Sequence, residues 1–185
     1  SLSNNQSHYI LTTMNHLTIV LLLSMTATAI SKDIKKKEIQ NLGFGEYDHH
    51  WQDCSLGRGE IAKLSKKINK PVMWILFWLS SGSGTCSACY HFQQSVVNQN
   101  EFQRLSKNFL MVNCEGKEIP DDSDFTLDGE YVPKILFTDV NNVVRSDVYN
   151  KAGKKQYKYY YVDAVQLVPA MKEAAVLLRG NQAEL

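Results

Sequence analysis

Cys86-Ser87-Ala88-Cys89 is the arrangement in this sequence best suited to chemistry. Two cysteines separated by two small residues close a disulfide with little strain when a helix begins between them. The first then sits among the unpaired N–H groups of the helix start, where the macrodipole favours a thiolate. The second lies one turn in and is shielded. That asymmetry suits thiol–disulfide exchange, in which Cys86 attacks a partner sulfur and Cys89 resolves the mixed disulfide from inside. Two other readings draw on the same residues. An inert structural disulfide needs only the pairing. A zinc site needs two more ligands, but His91 lies very close to Cys89 and no second Cys-x-x-Cys exists. Cys54, Cys114, His49 and His50 supply ligands only if the fold gathers them. The setting favours redox chemistry, because the motif follows an apolar run and opens a helical stretch.

The elements around the motif are readable from residue pattern. Trp51 to Asn69 reads as an opening turn and a helix, with Ile61, Leu64 and Ile68 at helical spacing, stopped by Pro71. Val72 to Leu79 is a continuous apolar run with aromatic enrichment, the look of a strand buried on both faces. Ser80-Ser81-Gly82-Ser83-Gly84 is a loop, and the helix after Cys86 puts Cys89, Phe92 and Val96 on one face. Asn100 and Gln103 have the spacing of a capping box for a second short helix. Phe109 to Val112 is another buried strand, ending near Cys114. Glu115 to Glu130 is acidic and turn-rich. Tyr131-Val132-Pro133 leads into a strand at Lys134–Thr138, and a proline there is either an edge-strand start or a cis-proline turn. Asp139 to Asn142 is a turn signal, and Val143 and Val144 start a returning strand. Asp163 caps a final helix that Pro169 should kink or delay. This order predicts an α/β domain, a four-stranded mixed sheet with helices on both faces.

Length and composition set the frame. The chain has 185 residues, is 44% hydrophobic and 21% charged, and carries a formal net charge of +1. Those values suit one globular domain, and the charge points to neither nucleic acid nor an anionic membrane as partner. Leu17 to Leu23 is nearly all apolar, and Ala27-Thr28-Ala29 follows as a small-x-small pattern. The run is too short to span a bilayer, which needs about 20 apolar residues. Residues 14–29 therefore read as a secretory signal peptide, and 1–13, which lack an initial Met, as no part of the mature protein. Residues 30–41 are charged and read as a loose segment. A secretory route places the cysteines in an oxidising compartment. For Cys54 and Cys114 the favoured reading is a pair of buried free thiols, with a second disulfide between them as the alternative.

A buried strand, Cys-x-x-Cys opening a helix, then x-Pro before a hairpin resembles the thioredoxin superfamily. The resemblance sharpens over Asp124 to Phe137, over Tyr157-Lys158-Tyr159-Tyr160-Tyr161-Val162, over Met171-Lys172-Glu173-Ala174, and over Gly43-Phe44-Gly45 through Trp51. There it is similar to the small endoplasmic-reticulum oxidoreductases of the thioredoxin domain-containing protein 12 group, which are related to the anterior-gradient proteins. The resemblance covers about Leu42 to Arg179 and implies a thioredoxin-like domain over 42–180. It implies a protein disulfide oxidoreductase of the endoplasmic reticulum lumen, with Cys86 as nucleophile, Cys89 as resolving cysteine and Pro133 as a cis-proline facing them. Anterior-gradient relatives typically carry Ser at the second cysteine, so Cys89 implies the dithiol branch. It implies no bound cofactor, with glutathione, other thiol partners and secretory clients as the reacting species.

Departures from the family pattern are equally specific. Thr85 stands where a Trp usually precedes the first cysteine, and the Ser80–Thr85 stretch is extra length. Leu76 occupies the position of a buried acid that serves other members as a proton shuttle, and Ser87-Ala88 lacks a His to stabilise the thiolate. The missing His predicts a less oxidising couple than a Gly-His dipeptide would give. Gln182-Ala183-Glu184-Leu185 matches the last two residues of the Lys-Asp-Glu-Leu retrieval signal, so 181–185 reads as a tail that returns the protein to the reticulum. Without retrieval the expectation is secretion. The alternative function is a client-binding, chaperone-like module with little redox activity.

Overall fold

A computed structural model describes residues 51–78 and 86–178. The leader, the segment before Trp51, the Ser80–Thr85 stretch and the Gln182–Leu185 tail lie outside the described residues. The strands are β1 (Trp51–Asp53), β2 (Val72–Phe77), β3 (Leu110–Glu115) and β4 (Lys134–Thr138). The α-helices are α1 (Arg58–Ile68), α2 (Ser87–Val97), α3 (Asn100–Ser106) and α4 (Ala164–Leu177).

The sheet order is β1-β3-β2-β4. β1 and β2 both run parallel to β3, and β4 runs antiparallel to β2. Alternation along the central strands then builds two cores. Met73, Ile75, Phe77, Met111, Ile135 and Phe137 face one side, packed with Phe92 and Val96 of α2, Phe102 of α3 and Met171 of α4. Val72, Trp74, Leu76, Val112 and Leu136 face the other, with Ile61 of α1, Phe125 and Tyr159. A strand buried on both faces must read as continuous apolar sequence, as β2 does. This is the thioredoxin fold, with the β2–α2–β3 unit at its centre.

The expected sheet had four strands, but not these four. The returning strand at Val143 and Val144 is a single bridge between Thr138 and Val144. Asp139 explains the shortness: its Oδ1 accepts the N–H groups of Asn141 (2.8 Å) and Val143 (2.9 Å), curling the chain away from the ladder. The fourth strand is β1, which the sequence hid as an opening turn because three residues are too few to show a period. A short 3-10 turn, Cys54–Leu56, then leads to α1.

Three boundaries also differ. The cap of α3 is Gln99, whose side chain accepts the N–H of Glu101 at 2.9 Å. Gln103 does not reach back to a cap but donates to the Val97 carbonyl at 3.2 Å. Pro169 lies inside α4 without delaying its start, since Asp163 caps the helix by accepting the N–H of Gln166 at 2.9 Å. β2 ends at Phe77, and Trp78 turns outward, 41% exposed, against Gly116 just after β3. Gly116 has φ +56°, and a Cβ there would fall 2.7 Å from the Trp78 indole nitrogen. Both the conformation and the close approach require glycine.

Candidate redox site

The site forms where β2 ends and α2 begins. Cys86 is the N-cap residue of α2 in extended conformation (φ −79°, ψ 94°), and its Sγ accepts the N–H of Cys89 at 3.0 Å. The first turn continues with Tyr90 N–H donating to the Cys86 carbonyl at 3.1 Å. Cys86 and Cys89 are joined by a disulfide, with Cα atoms 5.2 Å apart. Their exposures differ. Cys86 is half-buried at the rim, whereas Cys89 is 1% exposed and lies in the core beside Phe92 and Val96. Burial of that apolar face fixes the orientation of α2, and hence which sulfur meets solvent. Ser87 and Tyr90 are exposed beside Cys86.

The Val132–Pro133 peptide bond is cis, and Pro133 is buried at the start of β4. The Val132 carbonyl oxygen lies 3.9 Å from Cys86 Sγ, within reach of a thiol donor at that position. The topology thus brings together residues 46 positions apart in sequence, because β4 lies beside β2. A cleft of about 520 Å³ adjoins this loop, lined by Tyr131, Val132, Ala152, Tyr157, Tyr160 and Val162.

Leu76, which the sequence reading aligned to the family's buried acid, is 2% exposed on the opposite core face among Trp74, Val112 and Leu136. The titratable group buried near the cis-Pro loop is instead Lys134, 1% exposed. Sequence reasoning passed over it as part of a strand. The signal was a lone cation inside Val-Pro-Lys-Ile-Leu-Phe, otherwise entirely apolar.

Cys54 and Cys114 form a second disulfide, with Cα atoms 4.9 Å apart, and no cysteine is free. The reading of buried free thiols is therefore corrected. The parallel register pairs Asp53 with Asn113, so the residues that follow each of them arrive side by side. The bond lies in the core on the α1 face of the sheet, away from Cys89 on the other.

No family profile matches the chain. Individual relatives do. Anterior gradient protein 2-B of Xenopus laevis is 30% identical over 165 residues, covering 87% of this chain and 94% of the relative. Anterior gradient protein 3 of Xenopus tropicalis is 30% identical over 168 residues, covering 90% and 96%. The human anterior gradient protein 3 is 27% identical over 166 residues, covering 89% and 93%. The chain belongs to the anterior gradient family. These matches cover close to nine-tenths of the chain, so the residues around Cys86 and Pro133 lie in a framework shared with the family. Among the described residues no helix is long and apolar enough to cross a membrane.

Proposed function

We propose that this anterior gradient family member is a protein thiol–disulfide oxidoreductase of the secretory pathway, exchanging disulfides with client proteins through Cys86 and Cys89. The observation that carries the reading is the asymmetry of the pair: a rim sulfur at a helix N-cap facing the Val132 carbonyl, and a 1% exposed partner behind it. In the reducing direction the Cys86 thiolate attacks a client sulfur, and the client disulfide breaks as a mixed disulfide forms. The departing client thiolate takes up a proton. Cys89, losing its own proton, then attacks Cys86 Sγ, the internal disulfide closes, and the second client thiol leaves. The client has gained two electrons and the protein has lost two. Two glutathione thiols or one partner dithiol then reduce the internal disulfide again; the reverse sequence oxidises clients, and a disulfide such as oxidised glutathione restores the Cys86–Cys89 bond.

Cys89 also supports the narrower kinship with the thioredoxin domain-containing protein 12 group, whose dithiol releases a trapped client unaided. The leader-like 14–29 run and the Gln182–Leu185 tail support residence in the endoplasmic reticulum lumen, with secretion as the outcome if retrieval fails. A second reading, a client-binding module with little redox turnover, is favoured by the cleft beside Val132 and by Thr85 in front of Cys86. Insulin reduction separates the two. Turnover by the wild-type chain that is lost in Cys86→Ser supports exchange; equal rates in wild type, Cys86→Ser and Cys89→Ser support binding alone.

A further inference from the structure

The residues on either side of Val132-Pro133 are tied to one another. The Tyr131 hydroxyl donates to Asp128 Oδ2 and accepts the backbone N–H of Tyr159 at 3.1 Å. The Lys134 ammonium lies 3.2 Å from Asp128 Oδ1 and donates to the carbonyls of Phe125 (3.1 Å) and Gly129. The same ammonium sits 4.4 Å from the centroid of the Tyr131 ring. Asp128 Oδ2 further accepts the N–H of Lys158 at 2.6 Å. One carboxylate therefore gathers the side chains preceding and following Val132-Pro133 and anchors both to the Lys158–Tyr159 segment behind them.

Core packing does not account for this arrangement. An ammonium removed so fully from water is retained only where it is paired, and an apolar side chain of similar length would fill the space without the desolvation cost. Burial, and after it the bond to Asp128, push the Tyr131 phenol up, so its hydroxyl stays a donor.

We infer that Asp128, Tyr131 and Lys134 form a positioning unit that fixes the Val132 backbone edge on which an extended client segment is laid against Cys86. The inference rests on the exchange reaction proposed above. The three side chains act on the reaction through Val132, whose carbonyl lies 3.9 Å from Cys86 Sγ. A client laid along that edge takes its register from the Val132 peptide, so a loosened edge weakens productive binding before it alters sulfur chemistry.

The test is steady-state reduction of a disulfide-bonded protein client by the full chain, with KM and kcat resolved. Tyr131→Phe, which keeps the ring and removes the hydroxyl, is expected to raise KM about fivefold while kcat holds, the worth of one net hydrogen bond. Lys134→Met is expected to raise KM further, and Lys134→Arg, which keeps charge and donors, to return it toward wild type. If Lys134→Met does not fold, Tyr131→Phe and Asp128→Asn carry the test. Variants that lower melting temperature and kcat together at unchanged KM would show a purely structural unit and overturn the inference. Absence of turnover in the wild-type chain would sink the exchange reading itself, a result distinct from turnover with unaltered KM in the variants.

Discussion

Cys86 and Cys89 share a bond but not an environment, and the difference follows from one turn of helix. Cys86 as N-cap keeps its sulfur beside the first backbone N–H groups, while Cys89 falls on the face that α2 buries with Phe92 and Val96. The residue types of this pair were legible from spacing alone. Lys134 was not, because nothing local tells a strand lysine that its ammonium will find Asp128 and two carbonyls inside the protein. Gly116 makes the same point, since the indole that leaves no room for a Cβ there belongs to Trp78, far away in the sequence. Gly116→Ala is expected to destabilise the fold by about 1–3 kcal/mol, measured by denaturant unfolding. A change within about 0.3 kcal/mol would mean that Trp78 moves aside at no cost.

Elements whose apolar pattern is long enough to show a period were readable: β2, β3, the buried face of α2 and the Asp163-capped α4. β1 was not, because it consists of three residues whose identity as a strand depends on β3 sixty positions away. The same long-range pairing creates the Cys54–Cys114 disulfide, with a sequence separation of 60. That bond fastens a short edge strand to the sheet centre, and its loop length corresponds to about 4 kcal/mol in the chain-entropy view. The double variant Cys54→Ser, Cys114→Ser should therefore unfold at markedly lower denaturant. Insulin reduction should persist at temperatures where the variant remains folded, because these sulfurs lie on the opposite face of the sheet from Cys89. Loss of turnover in a folded variant would place the second disulfide in the reaction.

For the whole molecule, fold class was legible because the βαβ order forces parallel central strands, and because Cys-x-x-Cys and Val132-Pro133 mark the ends that must meet. The composition of the sheet edge was not, being settled by contacts between distant segments. Charge acts on stability mainly at acid pH. The backbone N–H of Asp124 and then Arg58 hold the Asp122 carboxyl below its ordinary range, and Arg145 does the same for Asp147. A depressed folded-state value means stability that is present above the unfolded value, about 4, and lost as pH falls through the folded one. Melting temperature should thus be flat from about pH 5 to 7 and drop below about pH 4. Both carboxyls are near the surface, so added salt should shrink their share of the drop. A melting temperature that rises on acidification would contradict this assignment.

The central claim is the division of labour between two sulfurs, and trapping measures it most directly. Cys89→Ser and Cys86→Ser are each incubated with a disulfide-bonded client, quenched by alkylation and resolved by non-reducing mass analysis. The structure predicts a persistent mixed disulfide between Cys86 and the client in Cys89→Ser, and none in Cys86→Ser. A mixed disulfide formed through Cys89, or equal trapping by the two variants, would contradict it.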